Sequence, residues 1–533
     1  MEYLISRGTR YIFGIIAHSS FDLGDSLSRS DGIQFINSAH EGGSGNMALG
    51  YARSTRQPGV CLVSAGGGVT NLITPIAQAY KESVPLIAIS SEVETGSSYR
   101  GAASWHDIDH VSLLRPITKS STRLERAEDI PHLISEAFRM ATTGRPGPVY
   151  LGLPTDLQGA SIQSDAPLPS WSQPSSPSMD PESLERTAEA LILSRAPVML
   201  IGTGVYWAGA EREVQELAEL LNIPVATSYT AKGLFPDHHP LALGCLGSGG
   251  RSYARENYSK ADLILALGTT FSEGTMLSFE YKLIPRSAKI IHIDIDPQEL
   301  GRNFAQYQSV QSDAKVALQS LLGTIKNRVP SCGSSTTKAR AQEIENKKKA
   351  WRQEQETSGE PGKITKPNVY RTLSDLSTDT HVFVTAGVTG SLLTHIDARQ
   401  PVIHAGEFRA IGTALATALG AKLGQPDKRV VCVTGDGSFL MEQQELATAR
   451  LHNIPILVVV LRNNAYGGMK RDQIKHYNGR VMGTDLFIPD LHDLAGLYGA
   501  QGEKVAKAQD LRPVLEKHMS SDELVVVDVE LGA

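Results

Sequence analysis

Short, continuous runs of apolar and mostly β-branched residues recur along this chain and alternate with segments of helical periodicity. A strand that is apolar on both faces must be covered on both faces, as happens in parallel sheets flanked by helices. The pattern therefore predicts an α/β protein built from doubly wound parallel sheets. Residues 71–80 are predicted to be helical. The runs that indicate strands are 60–64, 86–90, 198–201, 263–267, 290–294, 382–385, 429–433, 456–461 and 524–529.

Two stretches of different composition divide the chain into three blocks. Residues 162–185 are rich in Ser, Pro and Asp, and residues 330–368 combine Ser and Thr with charged residues, which is typical of linkers. The charged segment 343–356 is predicted to be a solvated helix. We therefore expect three doubly wound α/β domains, at 1–162, 186–329 and 367–533.

The bulk composition is that of an ordinary globular protein. The chain has 533 residues and a formal net charge of −6, so nothing favours binding to nucleic acid or to an anionic membrane. No apolar run reaches about 18 residues, the length expected for a membrane span. The four cysteines are far apart and form no Cys-x-x-Cys pair, which indicates a reducing compartment. Because no signal peptide is visible either, a cytoplasmic protein is expected.

The sequence Gly435-Asp436-Gly437 directly follows one predicted strand, and Asn463-Asn464 directly follows the next. In doubly wound sheets, ligands bind beyond the carboxyl ends of the strands. An Asp carboxylate, an Asn amide and a backbone carbonyl are hard oxygen ligands, which diphosphate oxygens and water would complete to an octahedron around Mg²⁺. Gly-Asp-Gly alone occurs in ordinary turns, but the second element at a fitting distance favours a metal–diphosphate site.

The stretch 434–468 as a whole resembles the diphosphate-binding motif of thiamine diphosphate (ThDP)-dependent enzymes. Asn463 lies 27 positions after Asp436, which matches the family's metal-binding Asn. The resemblance implies that these two residues and the carbonyl of Ala465 hold Mg²⁺, with Asn464 as the alternative to Asn463. A helix beginning at Ser438 would direct free N–H groups at a phosphate. The motif residues implied to contact the cofactor are Gly435, Gly437, Ser438, Asn464, Tyr466 and Gly467.

The N-terminal block contains what resembles the second half of such a site. Residues 40–53, HEGGSGNMALGYAR, are similar to a family pattern in which the Glu stands beside N1′ of the cofactor's aminopyrimidine, so Glu41 is implied in that role. Because that carboxyl group must hold a proton near neutral pH, we expect it to be partly buried. The stretch 64–71 resembles a glycine-rich family turn that approaches the cofactor through Gly66 and Asn71.

The family also bends ThDP into a V over a bulky apolar side chain that usually precedes a glycine. Ile411 matches that position, and the carbonyl of Arg409 takes the place that accepts the 4′-amino group. By the same resemblance, the turn after the first strand of the third block binds the diphosphate through backbone N–H groups of Val388, Thr389 and Gly390.

Three histidines are candidates for the substrate side of the site. His18 stands where relatives place an active-site Asp or Ser, and His106 and His110 lie in a loop that supplies Gln or His to the pocket. Histidine can move protons near neutral pH, so the resemblance implies catalytic roles for all three. Taken alone, each would more often be structural or exposed, and both interpretations stay open. Lys470 and Arg471 either bind an anionic substrate group or form a solvated pair.

Different stretches resemble the acetolactate synthase, benzaldehyde lyase and sulfoacetaldehyde acetyltransferase branches of the family. The implied function is a ThDP- and Mg²⁺-dependent enzyme that makes or breaks a C–C bond next to a carbonyl, with a 2-oxo acid, an aldehyde or a hydroxyketone as substrate. Acetolactate synthases place a Trp near Asp472, and its absence argues against a standard enzyme of branched-chain biosynthesis. Acyl transfer to phosphate and a non-catalytic ThDP-binding protein remain alternatives.

Two further expectations concern the middle block and the assembly. Residues 202–209 follow a predicted strand and carry a weak dinucleotide fingerprint whose third glycine is misplaced, which favours a structural turn. Some relatives hold FAD in this region, so bound FAD, or a nucleotide-binding oxidoreductase, is a further alternative. In the family, Glu41 and the metal site meet across a subunit interface, which implies a homodimer or homotetramer.

Overall fold

The structure is a computed structural model. It describes residues 1–98, 100, 103–160, 175–279, 281–329, 335–357 and 362–532, without the side chains of 335–338 and 356–357. Most of the first predicted linker and parts of the second therefore lie outside the described residues. Among the described helices, none is both long and apolar enough to cross a membrane.

The N-terminal sheet has six parallel strands in the order β2-β1-β3-β4-β6-β5. Its strands are β1 (Tyr11–Gly14), β2 (Gln34–Asn37), β3 (Gly59–Val63), β4 (Leu86–Glu92), β5 (Ser120–Arg123) and β6 (Pro148–Pro154). The helices of this part are α1 (Glu2–Ser6), α2 (Phe21–Ser28), α3 (Glu41–Thr55), α4 (Gly67–Asn71), α5 (Ile73–Glu82), α6 (His110–Leu114), α7 (Ile130–Thr142) and α8 (Thr155–Gln158).

The central sheet also has six parallel strands, in the order β12-β11-β10-β7-β8-β9. Its strands are β7 (Pro197–Ile201), β8 (Val225–Thr227), β9 (Ala242–Cys245), β10 (Leu263–Leu267), β11 (Lys289–Asp294) and β12 (Gln308–Gln311). Its helices are α9 (Pro181–Leu193), α10 (Thr203–Ala208), α11 (Glu211–Leu221), α12 (Ser252–Ser259), α13 (Glu273–Met276) and α14 (Ala314–Lys326), and α15 (Ser335–Thr357) follows them.

The C-terminal sheet repeats the design in the order β14-β13-β15-β16-β18-β17. Its strands are β13 (His381–Ala386), β14 (Ile403–His404), β15 (Arg429–Gly435), β16 (Leu457–Arg462), β17 (Gln501–Val505) and β18 (Val525–Glu530). Its helices are α16 (Lys366–Leu376), α17 (Thr389–His395), α18 (Ala414–Gly424), α19 (Asp436–Leu440), α20 (Glu445–Leu451), α21 (Gly467–His476), α22 (Leu491–Leu497) and α23 (Ala508–Met519).

The predicted α/β architecture with three parallel sheets is confirmed. Each run predicted as a strand overlaps a strand, and only the end residues Ser64, Ile456 and Leu524 fall outside one. The charged segment predicted to be a solvated helix lies in α15, but it packs on the central domain, since Ile344 and Lys348 are only 2% and 3% exposed. The predicted helix 71–80 is instead divided, because α4 ends at Asn71 and α5 begins at Ile73. Strands outside the apolar runs include β2, β12 and β17, which are only partly buried and therefore lack a continuous apolar pattern.

Helices α3 and α18 hold the N-terminal and C-terminal domains together. A Cβ at Gly50 would overlap the carbonyl group of Thr417, and a Cβ at Gly420 would overlap that of Met47. Both glycines are therefore needed because the two helix backbones touch. The residues of both domains form one continuous buried cluster around this contact.

Gly420→Ala is expected to lower the stability, because the added methyl group would push α3 and α18 apart. Overpacking of this kind typically costs about 1–3 kcal/mol. The matched control is Gly323→Ala in α14, where a Cβ would meet no atom within 4 Å, and it should be neutral or slightly stabilising. Thermal unfolding followed by circular dichroism measures both; equal midpoints would contradict the tight helix contact.

Candidate active site

Asp436 joins the ends of two neighbouring strands. It follows β15, is only 2% exposed, and its Oδ2 accepts the backbone N–H groups of Asn463 (2.8 Å) and Asn464 (2.6 Å), which follow β16. Its Oδ1 accepts the N–H of Gly437 at 2.8 Å. The strand order reverses between β13 and β15, so this carboxylate lies beside the crevice in which such sheets bind ligands.

The surroundings of Asp436 fit a cation. In the part of the chain that the structure describes, no Lys, Arg or His forms an ion pair with this buried carboxylate. Three backbone N–H groups stabilise the carboxylate, and a bound cation would balance its negative charge further. The side chain of Asn463 and the carbonyl of Ala465 offer further oxygen donors of the kind that Mg²⁺ prefers. These oxygen donors therefore fit Mg²⁺, and binding of the metal stays a prediction.

The turn after β16 holds Asn463 and Asn464 in different environments, and the choice between them as metal ligand stays a prediction. The amide of Asn463 lies directly against Gly467, where a Cβ would overlap it, whereas Asn464 has left-handed backbone with φ 54°. The carbonyl of Ala465 accepts the N–H of Gly467 at 2.8 Å and keeps its second lone pair. The ring of Tyr466 covers Gly437, since a Cβ there would lie 2.6 Å from it.

The end of β13 forms the other wall of the crevice. Val388 precedes α17, and no side chain caps the first turn that contains Thr389 and Gly390. A Cβ at Gly435 would lie 3.5 Å from Cγ1 of Val388, so the two strand ends are adjacent. Uncapped N–H groups at a helix start suit an anion, as the diphosphate prediction requires.

Ile411 borders the same crevice. The Oγ of Ser438 accepts the N–H of Gly412 at 2.9 Å, and Ile411 is 40% exposed beside it. Ser438, which is predicted to contact the cofactor, thus also holds the backbone next to Ile411. Arg409 has a left-handed φ of 58°, and its guanidinium lies 5.8 Å from the ring of Tyr229.

Two carboxylates that the sequence analysis did not identify hold the segment before Ile411. Glu82, in the N-terminal domain, accepts the N–H groups of Glu407 (2.6 Å) and Phe408 (3.2 Å). The carboxylate of Glu407 accepts the hydroxyl of Ser272 in the central domain. Burial raises the pKa of Glu82 to about 7, although the Arg53 guanidinium opposes this. A Glu near the end of an amphipathic helix looks like a surface residue, so nothing in the sequence distinguished Glu82.

Glu41 begins α3, and its side chain is positioned by the predicted turn. Nδ2 of Asn71 donates to Oε2 of Glu41 at 2.9 Å, so Asn71 contacts the carboxylate itself. Nδ1 of His40 caps the helix by accepting the N–H of Gly42 at 3.0 Å. In the single chain Glu41 is half-buried and Asn71 is exposed.

The three candidate histidines occupy different environments. His18 is exposed, with its ring centroid 5.1 Å from that of Phe21, and His106 is exposed on a left-handed backbone with φ 63°. His110 is only 1% exposed, and its Nε2 accepts the backbone N–H of Gly66 at 2.9 Å. This enclosed position favours the structural interpretation of His110, whose catalytic role stays a prediction, and the N–H of Gly66 is directed at His110.

The cationic pair in α21 is neutralised within the chain. Nζ of Lys470 lies 2.7 Å from Oδ1 of Asp485, and Nε of Arg471 lies 3.3 Å from Oδ1 of Asp472. The side chain of Lys470 is 40% exposed and that of Arg471 is 76% exposed. The arrangement favours the solvated-pair interpretation of Lys470 and Arg471.

A cavity of about 460 Å³ lies at the ends of β7, β10 and β11, where the central strand order reverses. A Cβ at Gly202 would overlap the carbonyl of Gly268, so close backbone contact accounts for this glycine. Gly209 ends α10 with φ 63°, an ordinary helix terminus. These contacts support the structural-turn interpretation of residues 202–209.

Protein-family models match all three domains. The model of the thiamine pyrophosphate enzyme N-terminal TPP-binding domain matches residues 1–113, that of the central domain 184–321, and that of the C-terminal TPP-binding domain 386–529. The matches cover most of the chain and include every predicted site residue.

Acetolactate synthase large subunits are similar over nearly the full length. Isozyme 3 of Escherichia coli is 34% identical, with 99% of this chain and 93% of the relative aligned. The protein of Haemophilus influenzae is 33% identical, with 100% and 93% aligned. A probable large subunit of Methanocaldococcus jannaschii is 31% identical, with 99% and 90% aligned.

Asp436→Ala is expected to abolish Mg²⁺-dependent binding of ThDP, and Asn463→Ala should weaken it more than Asn464→Ala does. The reason is that the Asn463 amide lies against Gly467 beside the other donors. Isothermal titration with ThDP at fixed Mg²⁺ measures the order. A larger loss in Asn464→Ala would restore the alternative ligand, and unchanged binding in Asp436→Ala would refute the metal site.

Proposed function

This chain belongs to the thiamine pyrophosphate enzyme family, in its acetolactate synthase branch, and we propose that it makes or breaks a C–C bond next to a carbonyl with ThDP and Mg²⁺. One observation carries the proposal: the chain has both halves of the required site. Glu41 and Asn71 form a hydrogen-bonded pair in one domain, and Asp436 with the turn 463–467 forms an oxygen-rich cluster in another.

Each half has a definite task in this proposal. Asp436, Asn463 and the carbonyl of Ala465 would hold Mg²⁺ beside the diphosphate of ThDP, while Glu41 would hold and pass a proton at N1′ of the aminopyrimidine. Ile411 shapes the space between the halves. When bound, ThDP supplies a nucleophilic carbon and an electron sink for the C–C bond.

The substrates we propose are a 2-oxo acid, an aldehyde or a hydroxyketone. Acetolactate synthases place a Trp near Asp472, whereas in this chain Asp472 pairs with Arg471 at the protein surface. This supports an acceptor other than that of the branched-chain enzymes. Acyl transfer to phosphate remains the second candidate. Residues 466–473 and 483–486 resemble sulfoacetaldehyde acetyltransferase, and they touch, because the N–H of Tyr466 donates to the carbonyl of Thr484 at 2.8 Å. A rate that depends on phosphate would favour it.

We also propose a homodimer, or a tetramer made of two such dimers, with the site between subunits. Large apolar side chains near the two halves are exposed in the single chain: Trp105 by 89%, Met482 by 85% and Phe487 by 88%. Exposed apolar side chains of this size support burial against another chain. Closed homo-oligomers of this kind commonly pair identical surfaces around a twofold axis.

Glu41→Gln is expected to leave ThDP and Mg²⁺ bound but to slow hydrogen–deuterium exchange at the thiazolium C2. Acid–base assistance of this kind typically contributes about 10²–10⁴-fold. Exchange is timed by acid quench and NMR on the loaded enzyme, with free ThDP as the reference. Wild-type exchange no faster than in solution would instead indicate a non-catalytic binding protein.

Co-expression of Glu41→Gln chains with Asp436→Ala chains should restore activity that neither variant has alone. If a site takes Glu41 from one subunit and Asp436 from the other, each mixed dimer has one intact site, so random pairing gives about a quarter of the wild-type activity. A mixture with no activity, although mixed dimers form, would place the whole site within one chain.

A further inference from the structure

A buried chain of polar side chains lies behind the glycine-rich turn. His110, Tyr150 and Glu92 are at most 5% exposed. Nδ1 of His110 lies 2.8 Å from Oε1 of Glu92, and the hydroxyl of Tyr150 donates to the same oxygen at 2.7 Å. The hydroxyl of Tyr150 also lies 2.7 Å from Oγ of Ser90. The hydrogen bonds of Tyr150 hold the Glu92 carboxylate beside the imidazole of His110, and buried polar contacts of this kind restrict the local geometry.

The contact with Gly66 determines which nitrogen of His110 carries a proton. Nε2 accepts the N–H of Gly66, so that nitrogen must be unprotonated. A ring proton is then carried by Nδ1, which lies 2.8 Å from Oε1 of Glu92 but outside hydrogen-bond geometry. The histidine thus offers the turn a hydrogen-bond acceptor at Nε2.

The turn that receives this acceptor has a backbone that needs glycine. Gly66 has φ 65° and ψ −107°, outside the regions open to other residues. On its other side, a Cβ at Gly66 would lie 3.1 Å from Cα of His106. The loop that contains both histidines therefore encloses the turn, with His106 on the outer side and His110 on the inner side.

We infer that His110 is a positioning residue for the Glu41 carboxylate. The turn at Gly66 leads directly into α4, which ends at Asn71, and Asn71 donates to Oε2 of Glu41 at 2.9 Å. A fixed backbone N–H at Gly66 therefore also fixes the position of the Asn71 side-chain amide, which orients Glu41. The inference rests on the proposed function, because it concerns proton transfer by Glu41.

Two variants test whether His110 acts as a hydrogen-bond acceptor or only fills space. His110→Leu keeps an apolar volume but removes the acceptor, and combining it with Glu92→Gln avoids a buried carboxylate without a partner. His110→Gln can accept from Gly66 through its amide oxygen and donate to Glu92 through its amide nitrogen, so it should act as the rescue variant.

The first readout uses the enzyme without cofactor. Hydrogen–deuterium exchange measured by mass spectrometry on a peptide covering residues 64–72 should speed up in His110→Leu/Glu92→Gln and stay near wild type in His110→Gln. The second readout is C2 exchange of ThDP in the Mg²⁺-loaded enzymes. Loss of one buried hydrogen bond should slow C2 exchange by about tenfold in His110→Leu/Glu92→Gln. The Kd of ThDP should change by less than about threefold in this variant.

The outcomes discriminate between explanations. Wild-type enzyme without accelerated C2 exchange would remove the proposed function and this inference with it. If C2 exchange is accelerated in the wild type and equally fast in His110→Leu/Glu92→Gln, the inference about His110 is overturned while the proposed function stands. Equal losses in the Leu and Gln variants, with equally lowered unfolding midpoints, would assign His110 to packing only and would also overturn it.

Discussion

The backbone contact between α3 and α18 is the constraint on which the site depends. Gly50 and Gly420 bring the two helices close enough that their backbones touch. Since Glu41 begins α3 and the segment with Ile411 leads into α18, this contact fixes how the two domains of one chain present their site residues. Protein interiors are tightly packed, so a contact of this kind allows little drift.

Buried carboxylates complete the domain arrangement by accepting backbone N–H groups from other elements. Glu442 accepts the N–H groups of Leu415 (2.8 Å) and Ala416 (3.1 Å) in the first turn of α18. Burial raises its pKa to about 8. Glu445 accepts the N–H of Ala39 at 3.2 Å, two residues before Glu41. Together with Glu82, these side chains satisfy backbone N–H groups within the C-terminal domain and where it contacts the N-terminal domain.

Much of the candidate site could be predicted because its residues lie in short contiguous motifs. Asp436 and the turn 463–467 do meet, because the carboxyl ends of adjacent parallel strands share one edge of the sheet. Glu41 and Asn71 meet because their helices pack together in one domain. The role of His110 could not be predicted in the same way, since the burial of a histidine depends on distant strands that bring Glu92 and Tyr150 to it.

By itself, the sequence determined the fold class, the division into three sheets and the residue types that suit a metal and a diphosphate. Those properties follow from local periodicity and from chemistry that each short motif carries alone. Only the tertiary structure decided that Glu82 and Glu407 hold the segment before Ile411, and that His110 faces Gly66 from within the domain. Their roles arise from long-range packing, which removes a side chain from water and gives it partners that no neighbouring residue specifies.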